Sequence, residues 1–357
     1  MKAIEAAWLT NQEGFRRYVL AGDIGGTHTN LALFGELTGR LEMLYRCTYP
    51  TQEIRSFSEP LELTLQAIEQ HSAALRPTTC CISVAGPAVG NTCRLTNASW
   101  GVDGDEVTRQ HKLRTIVIND FHALSYAIPL LDRNDREQII PIPHSTGDRP
   151  EASGSVMAVI GAGTGLGTSF LIRHGEEYRA YPTEGGHSDF SAFDEETIEL
   201  KRFVTKSYPS SPGTEPFLAG RGIANIYAFF KSQGMTVQGE LTEVENAPEP
   251  ERPAVISRLA GSSPECLRIM RLFVRIYGNY ATRAALMYLP TGGLFLAGGI
   301  VGKNVSLFLD EHLFMSSFER NYRDNIHDLL MGIPVYIVRD YASSLYGAAN
   351  AARVLLK

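Results

Sequence analysis

The chain has 357 residues, enough at roughly 100 to 200 residues per domain for about two domains with real cores. Hydrophobic residues make up 44% and charged residues 20%, near the globular average, which excludes a disordered or collagen-like chain. Its 33 Lys and Arg against 39 Asp and Glu give a net charge of −6 with no block of like charge, so neither nucleic acid nor an anionic membrane is an expected partner.

Residues 1–17 lack a sustained period, and Glu5 and Glu13 interrupt any apolar run, so they read as a dispensable extension ahead of the fold rather than a secretory leader. From Tyr18 the chain runs YVLAGD, turns through Ile24-Gly25-Gly26-Thr27 and resumes as NLALF: strand, tight glycine turn, strand. Ser58, Pro60 and the series Leu61, Leu65, Ile68 predict a capped amphipathic helix. CCISVAG (80–86) and TIVIND (115–120) are short apolar runs of the kind found in buried strands covered by helices, which makes the fold class α/β.

Residues 133–154, crowded with Asp, Asn, Pro, Gly and Ser, read as a loop or hinge, with a domain junction near 125–150. The strand, glycine turn, strand pattern then returns in VMAVIGAGTGLGTSFLI (156–172), and two copies of one device suggest duplicated halves. The segment from Gly234 to Pro253, with five glutamates and three prolines, reads as a solvated surface excursion. Leu267, Met270, Val274, Tyr277, Ala281, Ala284 and Tyr288 fall at spacings of three and four and predict a long core helix. LFLAGGIV (294–301) and PVYIVRD (334–340) read as closing strands, followed by a final Ala-rich helix from about Ser344. Five cysteines without a C-x-x-C pair argue against a disulfide framework or a structural metal and fit a reducing, cytoplasmic setting.

Closely spaced glycines between strands leave backbone N–H groups pointing inward with no Cβ in the way, which is what a phosphate needs. Three such turns occur, at 22–27, 161–167 and 298–302. A P-loop fails: the Gly302-Lys303 pair is followed by Asn304 and has Ala297 where the first glycine belongs. A dinucleotide-binding fingerprint fails as well, because Leu166 or Thr168 stands at its third glycine site and SFLI continues as a strand. Asp23, at a strand end beside the first turn, is either a turn-capping carboxylate or a hard oxygen partner for Mg²⁺, direct or through water.

GDIGGT, LTNASW, INDF, GAGTGLG, EGGH and FLAGGIV, in this order, resemble the bacterial hexokinase-related glucokinases, over nearly the whole chain from Tyr18 to the last helix. The resemblance implies the two-domain actin-like ATPase (ribonuclease H-like) fold, with duplicated β-β-β-α-β-α halves and a cleft between them. The boundaries expected are an extension at 1–17, a small α/β domain at 18–125 plus 340–357, and a large α/β domain at 126–339. It also implies ATP with Mg²⁺ and glucose as ligands, and a homodimer. The phosphate-binding positions would be Asp23, Gly25, Gly26, Thr27, Gly161, Gly163, Thr164, Gly165, Gly298 and Gly299, with Asp23 nearest the metal.

A sugar site needs acidic and amide side chains that pair with hydroxyls. Asn97, Asn119, Asp120, Glu184 and His187 have that chemistry at strand ends and loops. Each also has an ordinary role: an Asx turn for Asn119 and Asp120, a turn for Asn97, solvent exposure for Glu184, an interior imidazole for His187. The resemblance makes Asp120 the catalytic base and places Asn97, Asn119, Glu184 and His187 on the sugar, with Glu215 of EPFLAGRG as a further family glutamate. Two departures stand out: Thr183 precedes EGG where the family usually has Gly or Pro, and His28-Thr29-Asn30 replaces a different polar stretch. The implied reaction is phosphoryl transfer from ATP to the 6-hydroxyl of glucose, the first step of glycolysis. The rivals are a kinase for another hexose, or a sugar-responsive regulator or actin-like ATPase without kinase activity. A 17-residue extension is too short for the helix-turn-helix arm that related regulators carry.

Overall fold

The computed structural model describes residues 2–10, 14–95, 98–339 and 343–357. By compactness the chain divides into two units: Met1–Leu131 with His174–Ala180 and Asp340–Lys357, and Asp132–Arg173 with Tyr181–Arg339.

The first unit holds β1 (Glu5–Trp8), β2 (Arg17–Ile24), β3 (His28–Leu37), β4 (Arg40–Pro50), β5 (Thr79–Val84), a small ladder of β6 (Thr92–Arg94) with β7 (Gly101–Asp103), and β8 (Arg114–Asn119). The six-stranded sheet has the order β1-β4-β3-β2-β5-β8. Strand β5 is buried along its whole length, as a parallel strand covered on both faces should be. Helix α1 (Ser58–His71) buries Leu61, Thr64 and Ile68 on this sheet. Ser58 is its first helical residue rather than its cap; Phe57 holds that place and lends no side-chain bond. Helices α2 (Gly104–His111) and α3 (Asp120–Ala127) flank β8. The stretch read as an extension contributes β1, which pairs with β4, and Trp8 stacks on His71 with ring centroids 3.8 Å apart. Four residues are too short to show a period, so pairing with an open sheet edge decides their structure.

In the second unit, β9 (Ile139–Ile142), β10 (Val156–Ala162), β11 (Leu166–His174), β12 (Glu177–Thr183), β13 (Leu294–Ala297) and β14 (Val335–Val338) form a sheet of order β12-β11-β10-β13-β14-β9. The order β12-β11-β10-β13-β14 repeats β4-β3-β2-β5-β8 of the first sheet. The directions repeat too: the central strand pairs antiparallel with the next in sequence, then two parallel pairings follow. The halves are thus duplicates of one α/β unit, the actin-like ATPase (ribonuclease H-like) fold.

Strand β9 lies inside the stretch expected to be a loop. Its Pro141 lacks an N–H and is accommodated because β9 is an edge strand, antiparallel to β14. The connections carry α4 (Glu195–Thr205), α5 (Gly220–Ser232), α6 (Leu241–Asn246), α7 (Arg252–Leu259), α8 (Pro264–Tyr288), α9 (Gly299–Lys303), α10 (Val305–Leu309), α11 (Leu313–Phe318) and α12 (Asp324–Met331). The predicted core helix is α8, with Met270, Val274, Tyr277, Ala281 and Ala284 buried. The glutamate-rich segment departs from a purely solvated excursion: α6 buries Leu241 and Val244, and Glu245 accepts hydrogen bonds from Tyr227 Oη and Lys231 Nζ, both at 2.6 Å. Charge counting hid two apolar residues at helical spacing.

A buried polar knot ties β9's continuation to the end of α11. His144 is fully buried, with Nδ1 2.7 Å from Glu319 Oε1 and Nε2 3.0 Å from the Ile333 carbonyl; the Ser145 N–H and hydroxyl also donate to Glu319. Burial pushes the Glu319 carboxyl up, but the bonds from His144 and Ser145 outweigh it and hold the group below its ordinary value. A carboxyl depressed in the fold stabilises above its unfolded value of about 4.3, and that stability is lost as pH falls through the folded value. Glu319→Gln should therefore lower the melting temperature at pH 7, with the gap to wild type narrowing toward pH 3 in a calorimetric pH series.

Candidate active site

In the first unit, the apolar pattern of β2 drives it into the sheet centre and brings Asp23 to its carboxyl end, in register with Asn30 on β3 and Ser83 on β5. Ser83 Oγ donates to Asp23 Oδ1 at 3.3 Å, Ser344 Oγ donates to Oδ2 at 3.0 Å, and Asn30 adds a third side-chain hydrogen bond. Burial raises the Asp23 pKa, and these three bonds offset only part of the rise. The turn beyond it is closed by Gly25 N–H to the His28 carbonyl at 2.9 Å and leaves Gly26 and Thr27 exposed.

Strand β8 delivers Asn119 and Asp120 to the start of α3. Asn119 is its N-cap: Oδ1 accepts from Phe121 N–H at 2.8 Å and Nδ2 donates to the Gly86 carbonyl at 3.0 Å. The Asx-type role weighed from sequence is therefore realised at Asn119. Asp120 follows with an exposed side chain, one oxygen 2.8 Å from the Phe121 N–H. Its pKa is raised, first by the protein surrounding the carboxyl and then by the negative charge of Asp23, against lowering bonds from Phe121 and Asn119.

The C-terminal helix (Ser343–Leu355) bonds Asp23 and packs along α3, the helix that Asp120 begins. Ser344 bonds Asp23, and Asn350 Nδ2 donates to the Tyr126 carbonyl at the far end of α3. A Cβ on Gly347 would lie 2.0 Å from the Ala123 carbonyl oxygen, so the two helices touch backbone to backbone there. Gly347→Ala should destabilise the protein by about 1–3 kcal/mol through overpacking and displace α3. A chemical denaturation curve checks the first, and a fall in kcat larger than in nucleotide affinity checks the second.

In the second unit, the hairpin from β10 to β11 turns through Gly163-Thr164-Gly165, with Gly163 N–H donating to the Gly165 carbonyl at 2.9 Å and Thr164 exposed. Gly161 stays in the ladder, opposite Gly167 on β11 and Ala297 on β13. Gly298 caps α9 at φ +97°, and a Cβ there would meet the Ala162 carbonyl oxygen at 2.4 Å, so only glycine fits; Gly299 next to it is uncrowded.

EGGH forms a short 3-10 turn after β12. Glu184 and His187 expose 90% and 67% of their side chains and stand 3.7 Å apart, a pair open to a ligand rather than an interior imidazole. Gly186 is buried, and a Cβ on it would meet the Leu166 carbonyl oxygen at 2.1 Å. Glu215 closes a triangle: its N–H donates to the Gly186 carbonyl at 2.9 Å, and its Oε2 accepts from Leu166 N–H at 3.1 Å. The structure thus brings Glu215 against the 161–167 turn as well as against EGGH. Thr183, the departure before EGG, donates to the Thr168 carbonyl at 2.9 Å and accepts from Gly185 N–H at 3.2 Å, so its hydroxyl ties the loop to β11. Asn97 lies outside the described residues.

A family model described as Glucokinase matches residues 20–355. This chain belongs to the glucokinase family. A curated relative from Nostoc sp., named Glucokinase, is 33% identical over 350 residues, covering 94% of this chain and 98% of the relative. Among solved structures, a glucokinase from an Antarctic psychrotroph is 27% identical with a TM-score of 0.79, covering 94% of this chain and 99% of that one. A Balamuthia mandrillaris glucokinase solved with glucose shares the fold at 20% identity and a TM-score of 0.68, covering 94% of each chain.

Within this glucokinase-family chain, sequence reasoning missed Asn30, Ser83 and Ser344 around Asp23. The signal for Ser83 is strand register with Asp23, and for Asn30 the polar departure beside the first turn; Ser344 had none, since 321 positions separate it from Asp23. Among the described residues no three His, Cys, Asp or Glu side chains group as a metal cage, and no helix is long and apolar enough to cross a membrane. Asp23 with its hydroxyl neighbours supplies hard oxygen atoms, and an ion completing its shell with phosphates and waters fits that set.

Proposed function

We propose that this protein transfers the γ-phosphoryl group of ATP to the 6-hydroxyl of glucose, giving glucose 6-phosphate and ADP, with Asp120 as general base. The observation that carries the reading is Asp120 itself: an open carboxylate at a strand end, raised in pKa by its surroundings and by Asp23. The 6-hydroxyl loses its proton to an Asp120 oxygen as the sugar oxygen bonds to the γ-phosphorus and the bond to the ADP oxygen breaks. Because the transition state is loose, positioning by the glycine turns and charge stabilisation supply most of the acceleration. Mg²⁺, when bound with the nucleotide, neutralises charge on the β- and γ-phosphates. Asp23 would hold it directly or through water, with Ser83 and Ser344 keeping the carboxylate oriented.

Asn97, Asn119, Glu184, His187 and Glu215 are assigned to the sugar hydroxyls. The exposed Glu184–His187 pair supports this, and Asn119's amide also caps α3. Gly25, Gly26, Thr27, Gly161, Gly163, Thr164, Gly165, Gly298 and Gly299 are assigned to the phosphates. The sequence-level division into an extension at 1–17, a small domain at 18–125 plus 340–357 and a large domain at 126–339 belongs to the same reading. So does a cytoplasmic homodimer serving the entry of glucose into glycolysis; five buried, unpaired cysteines suit a reducing compartment.

The direct test is glucose-dependent ADP formation from MgATP, beside mannose, fructose and N-acetylglucosamine at equal concentrations. Turnover confined to glucose is expected, and turnover with none of them would sink the reading. A second check is pH. A base works ionised, so kcat/KM should fall as pH drops through the folded pKa of Asp120, above the usual value of about 3.9.

A further inference from the structure

The first glycine turn is gripped from outside by two residues that no motif contains. Thr51 and Gln52 follow β4, and Thr51 is 1% exposed. Its N–H donates to the Thr27 carbonyl at 2.9 Å, its hydroxyl donates to the Gly25 carbonyl at 2.9 Å, and the same oxygen lies 3.0 Å from the hydroxyl of Thr29, which is fully buried. Gln52 Nε2 donates to the Gly26 carbonyl at 3.0 Å. The carbonyls of Gly25, Gly26 and Thr27 are thus all turned toward this segment, which fixes the peptide planes of the turn and leaves their other side for a ligand.

Thr51 is held in its turn by the end of LTNASW. Trp100 Nε1 donates to the Thr51 carbonyl at 3.4 Å, and its indole, 8% exposed, stacks on Phe57 at an interplanar angle of 19° with centroids 6.4 Å apart. Hydrogen bonds thus link Trp100 to Thr51 and Thr51 to Gly25.

We propose that Thr51, assisted by Gln52 and held in its turn by Trp100, is a positioning residue for the phosphate turn. The inference rests on the kinase reading above. Buried and donating, the Thr51 hydroxyl resists substitution by a methyl of the same shape, because the Gly25 carbonyl would lose its partner.

The experiment uses the full-length protein with Thr51→Val, Thr51→Ser and Gln52→Ala. Gln52 has an exposed side chain, so its variant keeps the test alive should Thr51→Val fold poorly. Affinity for a non-hydrolysable MgATP analogue is titrated alongside kcat, KM for MgATP and the melting temperature. Thr51→Val and Gln52→Ala should weaken nucleotide binding by about three- to tenfold and lower kcat/KM for MgATP at least as much, and Thr51→Ser should restore both. Unchanged nucleotide affinity in Thr51→Val and Gln52→Ala, with a lowered melting temperature, would make the segment merely structural and overturn the proposal. Failure of the kinase reading shows separately, as wild type that turns over no glucose.

Discussion

Asp120→Asn is expected to lower kcat by about 10²- to 10⁴-fold while leaving glucose affinity and the fold intact. Asparagine keeps the shape and can still accept the Phe121 N–H that the carboxylate accepts at 2.8 Å. What it loses is basicity. Stability should not fall either: the Asp120 pKa is raised in the fold, so the ionised carboxyl is disfavoured there, and a neutral amide removes that cost at pH 7. Steady-state kinetics, glucose calorimetry and a melting curve on one preparation separate these effects. A mutant within threefold of wild-type kcat would remove Asp120 from the base role.

Gly186→Ala is expected to be nearly as damaging for a different reason. Its Cβ would fall 2.1 Å from the Leu166 carbonyl oxygen, inside the triangle that Glu215 closes between EGGH and the 161–167 turn. Backbone cannot yield as a side-chain tip can, so one loop must shift. A misplacement of about 1 Å costs on the order of 10²-fold in rate, with overpacking adding about 1–3 kcal/mol of destabilisation. KM should rise for glucose and MgATP together, because one glycine serves both loops. Gly163→Ala is the stability control: a Cβ there meets nothing within 4 Å, so its melting temperature should stay near wild type. Equal thermal losses in the two variants would contradict this account.

Much of the candidate site was legible because its residue types sit in short contiguous motifs. GDIGGT and GAGTGLG do become hairpin turns between paired strands, whereas LFLAGGIV, read as a strand, is one only to Ala297, after which Gly298 caps helix α9. The duplicated halves were legible in the recurrence of that device, and the long core helix in its three-and-four spacing. The misreadings share a cause. Strands β1 and β9 are four residues each, and α6 is six residues set among glutamates. Segments that short take their conformation from a neighbouring edge or groove, which local pattern does not carry.

By itself, the sequence determined the α/β class, the two hairpin glycine turns and which carboxylates stand beside the motifs, since backbone freedom, apolar period and acid chemistry are properties of residues and their spacing. Only the tertiary structure decided which groups tune them. Ser83 and Ser344 reach Asp23 from 60 and 321 positions away, Thr51 reaches Gly25 from 26, and Glu215 reaches Leu166 from 49. The pKa of a carboxyl and the orientation of a peptide plane are set by whatever lies within a few ångströms in space, and sheet register and helix docking, not chain order, decide what that is.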